Sequence, residues 1–409
     1  MTASTAPSTH ARSETVASIE QNLGRAFWIV AAISFLYLFA ASAPSPLYGV
    51  YAAQWHFSPI TLTVVFGVYA ITLLVTMLLA GSVSDAFGRR PVIITALAVQ
   101  SVTMLLFLLA DNVGWLYAAR LTQGCATGLV TAAVSAALVD LQPSRRPGLA
   151  AVVNATVPPA GLAFGALVSG ALVQYAPNPT RFVYWLLLGG FVGMILVLLT
   201  LVPETVPQRH MPKFGVEVGV ERALVRAFLA TVPVLVACWA LAGLYLSLGP
   251  SIVLTMQHSS NKLLGGSIVF ILCGCGALSG VIAHAWPPRR AMSVGCATLA
   301  AGVILTVLSV SQDVTALLYI GTVVAGCGFG LGFLGAFRTL AGLAMSERRS
   351  QLIATIYVVA YLSFSIPSVV AGVLSAHVGL HDTAIGFGIA VAALALIALP
   401  ATARHCRRC

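Results

Sequence analysis

The sequence predicts an all-α membrane protein whose twelve transmembrane helices form two pseudo-symmetric six-helix bundles. Three observations carry this. First, 59% of the 409 residues are hydrophobic and only 8% are charged. A soluble domain must expose far more polar surface than that composition supplies. Second, the apolar residues fall into twelve runs, each about the ~20 residues a helix needs to cross hydrocarbon. Third, the basic residues alternate. Of the 21 Lys and Arg, all but Arg120, Arg181 and Lys262 lie in the N-terminal tail, in every second loop, or in the C-terminal tail. Lys and Arg are retained on the cytoplasmic side of polytopic proteins, so both termini are expected in the cytoplasm of a cell with the chain in its inner (cytoplasmic) membrane. The net charge of +10 does not imply a nucleic-acid partner. The charges are dispersed at helix ends and form no single stripe.

Residues 1–24 are rich in Ser, Thr and Ala and read as a disordered cytoplasmic tail. The first six spans, within a bundle over 25–202, run Phe27–Tyr51, Thr61–Gly81, Pro91–Ala110, Gly114–Val139, Leu149–Gln174 and Phe182–Val202. Ala41-Ser42-Ala43 resembles a signal-peptide cleavage site. The polar tail before it is too long for that reading, and the internal repeat argues for keeping the segment. Residues 203–226 form a polar, basic cytoplasmic linker. The second bundle, 227–403, holds Ala227–Leu254, Leu263–Ala283, Ala291–Ser311, Val314–Phe337, Gln351–Ala376 and Thr383–Ala401. Residues 404–409 form a cytoplasmic tail. Pro44, Pro46, Pro250 and Pro367 mark helical breaks, tolerated where neighbours satisfy the freed carbonyls.

The two halves are related. Asp111, Leu116, Tyr117, Gly124, Cys125 and Gly128 recur as Asp313, Leu318, Tyr319, Gly326, Cys327 and Gly330, each pair 202 positions apart. Tyr37-Leu38 then Pro44-Ser45 recurs as Tyr245-Leu246 then Pro250-Ser251, and Arg89-Arg90 as Arg289-Arg290. Such repeats are typical of transporters that rock two bundles about a central site.

After the second span comes Gly81-Ser82-Val83-Ser84-Asp85-Ala86-Phe87-Gly88-Arg89-Arg90-Pro91. Gly81 permits close helix approach, Gly88 suits a tight turn, and Pro91 suits the first turn of a helix. Asp85 can face a helix N-terminus or an arginine, as a latch held in one conformation and broken in the other. The stretch resembles the G-x-x-x-D-x-x-G-R-[RK] signature of the major facilitator superfamily. The corresponding loop of the second half, Gly280 to Arg290, has no acid, an asymmetry similar to that of the family.

The fourth span carries Arg120-Leu121-Thr122-Gln123-Gly124. A charge inside a span is costly and by default functional; the alternative is a structural arginine bound to main-chain carbonyls. The run resembles a facilitator motif, R-x-x-Q-G, which implies proton coupling or recognition of substrate charge. In the fifth span, Pro158-Pro159 precedes Gly161, Gly165 and Gly170. Those glycines suit close packing, and the segment is similar in part to the facilitator antiporter motif, with Ala166 where proline is usual. Glu204, in Pro203-Glu204-Thr205, also resembles exporters of the superfamily.

All eleven Asp and Glu lie in tails, loops or helix ends. Drug exporters that couple to protons often place a titrating carboxylate deep in a span; here a proton gradient must be used differently or not at all. The resemblance implies that the first, fourth, seventh and tenth spans line a cavity. They offer Tyr37, Tyr48, Trp239, Tyr245, Phe329 and Phe333, with Ser34, Ser42 and Gln123. An aromatic cavity with little charge suits a lipophilic molecule. Cysteines within the apolar runs read as small hydrophobes, and neither Cys273-x-Cys275 nor the His405–Cys409 tail is expected to hold a metal. The expectation is a monomeric secondary transporter, without cofactor, that exports a small organic substrate. An uptake carrier is the alternative. An enzyme is disfavoured, since no nucleophile–base pair, ligand cluster or P-loop is present, and a receptor because neither end carries a signalling domain.

Overall fold

The computed structural model describes residues 9–146, 148–206, 218–343 and 349–404. Residues 207–217 of the linker and the His405–Cys409 tail lie outside them. Among the described residues every regular element is helical. The first half comprises α1 (Thr9–Ser42), a 3₁₀ turn (Ser45–Leu47), α2 (Tyr48–Trp55), α3 (Pro59–Ala80), α4 (Val83–Phe87), α5 (Arg89–Leu108), α6 (Val113–Asp140), α7 (Leu149–Tyr175) and α8 (Phe182–Leu201). The second comprises α9 (Val225–Ser247), α10 (Gly249–Met256), α11 (Lys262–Ile282), α12 (Pro288–Gln312), α13 (Thr315–Leu343), α14 (Arg349–Val378) and α15 (Leu380–Arg404). Twelve helical stretches are long and apolar enough to cross a bilayer, the first being α1 with α2. We call the end carrying Arg89, Arg145, Arg289 and Arg338 the basic face and the opposite end the far face.

Local chemistry sets the ends. Ser58, Asn112 and Asn261 each cap a helix at the far face, their side-chain oxygens accepting from the main-chain N–H of Thr61, Gly114 and Leu263. Gly379, at φ +88°, lets α14 turn directly into α15. Within the first bundle, Gly161 and Gly165 bring α7 onto α1. A Cβ on Gly161 would lie 2.6 Å from the Phe35 carbonyl, so both glycines serve the close packing expected of them. Gly124 does the same for α6 on α3, with the Tyr69 carbonyl 2.7 Å from its would-be Cβ.

Three expectations need correction. Residues 9–24 are helical, continuous with the first span, where a structureless tail was expected. Extending an existing helix avoids the cost of nucleation, and Ala, Glu and Gln propagate it readily. Pro367 stays inside α14 without ending it, because one proline removes a single backbone bond. The chain breaks at Pro44 with Pro46 and at Gly249-Pro250, while Pro158-Pro159 stay inside α7. Gly81 makes no close helix approach: the only atom near its would-be Cβ is the Met77 carbonyl of its own helix, at 3.3 Å.

The halves meet along two helix pairs, and the contacts lie toward the far face. Gly170 of α7 packs on Gly266 of α11, and the Lys262 N–H donates to Gln174 Oε1 at 2.9 Å. Gly67 and Thr63 of α3 pack on Val369 and Gly372 of α14. Ser45 Oγ donates to the Leu246 carbonyl, tying the 3₁₀ turn of one half to α9 of the other.

Candidate functional site

Arg120 is fully buried, and its surroundings follow from the break in the first span. Pro44 has no N–H, so the carbonyl four residues back, on Ala40, loses its helical partner. Gln123 Nε2 supplies the replacement at 3.0 Å. The adjacent Ala41 carbonyl accepts from Arg120 Nη1 at 3.1 Å. Arg120 and Gln123 are three apart and share a face of α6, and they bond each other at 2.5 Å. Arg120 Nε donates to Tyr48 Oη at 2.6 Å. The rings of Tyr48, Tyr69 and Phe107 surround the guanidinium at 5.2–5.8 Å, a favourable setting for a desolvated cation. The Arg-x-x-Gln pair therefore caps a broken helix from inside the first bundle. Of the two roles considered from sequence, the geometry displays the main-chain cap.

The second half repeats the break but uses it differently. Pro250 frees the carbonyl of Leu246, and the group that takes it is Ser45 of the first half.

At the basic face Asp85 meets an arginine, one of the two partners expected of it, within its own motif. Arg89 pairs with Asp85 at 2.5 Å and Asp140 at 3.3 Å, and donates to Ser84 Oγ at 2.6 Å. The N-terminus of α5 goes to Glu204 rather than to Asp85. Glu204 Oε1 accepts from the N–H groups of Arg89, Thr205 and Val206 at 2.9–3.0 Å, and Oε2 from that of Arg90 at 3.1 Å. A carboxylate there satisfies orphan donors and meets the positive end of the helix. Gly88, at φ +101°, makes room: a Cβ would sit 2.5 Å from Glu204 Oε2. Arg90 reaches back to the Leu199 carbonyl. Thr205 Oγ1 donates to Asp140 at 3.1 Å. Asp85 remains 63% exposed. Sequence reasoning missed Asp140, whose one signal was its place at the basic end of α6. At the corresponding acid-free loop of the second half, Arg338 donates to the His284 and Trp286 carbonyls at 2.8 and 3.2 Å.

Only part of the expected cavity lining is confirmed as one surface. Tyr37 packs fully buried against Phe191, and Tyr48 serves Arg120. Tyr245 Oη bonds Thr306 and Thr322 inside the second bundle at 3.2 and 3.1 Å. Phe329 packs against Gly276 of α11. Ser42 donates to Phe39 O at 3.2 Å. These residues fill bundle interiors because aromatic rings at helical spacing face whichever neighbour is nearest. Trp239 and Phe333 do come together, at 5.4 Å. Trp239 also meets Tyr361 at 5.3 Å and Phe364 at 5.9 Å, and Phe333 continues through Phe337 to Tyr357. The result is an aromatic wall on α9, α13 and α14, which meets the first half where Phe364 packs on Phe66 at 4.9 Å. Its α14 members were not foreseen, although Tyr357 and Tyr361, four apart, place two rings on one face.

Comparison with known proteins follows from this geometry. The family model described as Major Facilitator Superfamily matches residues 30–366. Multidrug resistance protein MdtL of Escherichia coli is 26% identical over 347 residues, 78% of this chain and 83% of that protein. An uncharacterized MFS-type transporter of Mycobacterium tuberculosis is 33% identical over 122 residues, but those cover 30% of this chain and 21% of the relative. Among solved structures, a bacterial homologue of the human lysosomal transporter Spinster, inward-facing and unoccupied, superposes with a TM-score of 0.76 at 12% identity, over 93% of this chain and 97% of that one. The human organic anion transporter MFSD10 does so at 0.65 and 15%, over 92% and 99%. At these identities the likeness to solved structures is one of fold.

Proposed function

This chain belongs to the major facilitator superfamily, and from that membership we propose that it exports a small lipophilic organic molecule across the cytoplasmic membrane by alternating access. The observation that carries the substrate class is the aromatic wall between two halves joined toward the far face. Rings at that depth offer apolar contact and no fixed charge, which suits a lipophilic solute. Positive-inside bias supports a cytoplasmic basic face, and the contacts that join the halves then lie toward the outside. Export is supported by the likeness to a protein named for multidrug resistance and by Glu204 at the close of α8. A single chain supplies both halves of the path, and we propose that it acts as a monomer.

Alternating access then uses the two ends in turn. Substrate enters from the basic face and rests on the wall. The contacts at Ser45, Gly170, Gly67 and Gly372 part, while the basic-face ends of the halves close. Asp85, exposed in this state, is placed to meet the second half when that happens. The test is reconstitution in proteoliposomes with a panel of labelled lipophilic compounds, with and without a pH gradient. Outward movement of one class, dependent on the protein, is expected. Flux of none of the panel, or inward accumulation only, would reject export. Comparing flux with and without the gradient reads whether protons drive it.

A further inference from the structure

One polar atom of the aromatic wall is buried without a partner among the described residues. Trp239 lies mid-way along α9, and its indole Nε1–H is buried with no hydrogen-bond partner among the described residues. An indole N–H is a donor only, and a buried donor without an acceptor is costly enough that native structures rarely keep one. Its neighbours offer no remedy. Phe333, Tyr361 and Phe364 surround it with rings at 5.3–5.9 Å. Ser365 of α14, whose hydroxyl is also buried without a partner among the described residues, lies on the seam between the halves with its Cβ and carbonyl beside Gly67 of α3.

Charge at this depth is equally informative. Asp and Glu among the described residues sit in loops, at helix ends or in the polar extension of α1 that precedes the first span. Arg120 donates through Nε and Nη1 to Tyr48, Gln123 and the Ala41 carbonyl within the first bundle, and its Nη2 is buried there without a partner among the described residues, amid the rings of Tyr48, Tyr69 and Phe107. The wall's own residues carry no charge, and an ion placed among these rings would lose its hydration without an ionic partner in contact with it. The rings alone would attract a cation through their faces, but a cation cannot satisfy a donor.

Resting on the transport reading above, we propose that Trp239 Nε1–H is the polar anchor of the substrate site. The substrate class it selects is an uncharged, planar aromatic molecule carrying a hydrogen-bond acceptor such as a ketone. Flat faces stack among Phe333, Tyr361 and Phe364, and the acceptor takes the indole proton. A site with one buried donor discriminates strongly against a ligand lacking the acceptor, because the donor is then left unpaired.

A matched pair of probes tests this. Fluorenone and fluorene share a planar skeleton and differ by one carbonyl; ethidium is a planar cation. Binding is measured by equilibrium dialysis against the full chain in lipid nanodiscs, with empty nanodiscs as blank. The wild type should bind fluorenone about tenfold tighter than fluorene, the size of one hydrogen bond, and tighter than ethidium. Trp239→Phe keeps a ring and removes the donor. In that variant the fluorenone-to-fluorene ratio should fall to about one, while fluorene affinity stays within about twofold. A wild-type ratio near one, or ethidium as the tightest ligand, overturns the proposal without recourse to any variant. So does a ratio that survives Trp239→Phe in protein of unchanged melting temperature. If the variant does not fold, the Nε1–H resonances of ¹⁵N-tryptophan-labelled wild type replace it: one must shift with fluorenone and not with fluorene. Transport is scored separately. Anchored binding with no flux in proteoliposomes would reject the transport reading and leave the anchor standing, whereas flux without the carbonyl preference would do the reverse.

Discussion

Two carbonyls depend on Arg120 and Gln123, and this decides what their loss should do. Arg120→Ala leaves the Ala41 oxygen and Tyr48 without a donor, and an unsatisfied buried group costs about 1–3 kcal/mol. The variant should melt several degrees lower in detergent, and Gln123→Leu should do likewise through Ala40. Arg120→Lys should recover only part of the loss, since an ammonium lacks the fork that reaches Tyr48, Gln123 and Ala41 together. Wild-type melting of Arg120→Ala would refute the cap. Glu204 makes a second case. Glu204→Ala removes two accepted N–H bonds at the start of α5 and two from the residues that follow Glu204, Thr205 and Val206, and should lower stability by about 1–2 kcal/mol, as loss of a cap does. Asp85→Asn touches one exposed partner of Arg89 and should slow transport at normal membrane abundance; unchanged transport would reject a latch role. Arg120 stood out in the sequence as the one charge within a span. Of its partners, Gln123 stood beside it in the motif; Tyr48 and the Ala41 carbonyl did not stand out, because they come from the first span and no spacing within α6 points to them.

At the scale of elements, the prolines carry opposite consequences for helix and machine. Pro250→Ala restores an N–H that can bond the Leu246 carbonyl within the helix. It should regularise α9 into α10 yet deprive Ser45 of its acceptor. The expected result is a more helical segment and a weaker far-face contact, seen as longer spin-label distances between the far ends of α1 and α9. Unchanged distances would show that Ser45 contributes nothing to closure. All twelve spans were legible in the sequence, because bilayer thickness fixes both their length and their composition. The helical extension to Thr9 was not, since polar residues with fair helix propensity look the same in a tail as in a helix. The α14 share of the aromatic wall was hidden for another reason: which face of an apolar helix meets the pathway depends on how the two bundles sit together.

The whole molecule is a duplicated bundle whose copies have diverged in how they use one shared flaw. The repeat and the bias of basic residues revealed this architecture, and they set a direct topological test. Single cysteines placed at Arg145 and at Arg289 should react with impermeant thiol reagents only from the cytoplasmic side; labelling from outside would invert the assignment. In the first copy the freed carbonyl at the proline is fastened inside its own bundle by Gln123. In the second it is offered across the seam to Ser45, where the bond must be remade in every cycle. That difference acts on apparent affinity. A ligand arriving outside binds only the fraction of molecules whose seam has already parted, so its measured dissociation constant is raised by the inverse of that fraction. Each ~1.4 kcal/mol of seam stability weakens outside binding about tenfold and leaves inside binding nearly untouched. The seam cannot decide the direction of net flux, which an energy source must set. It makes the carrier less responsive to a ligand on the far side than to the same ligand on the basic side.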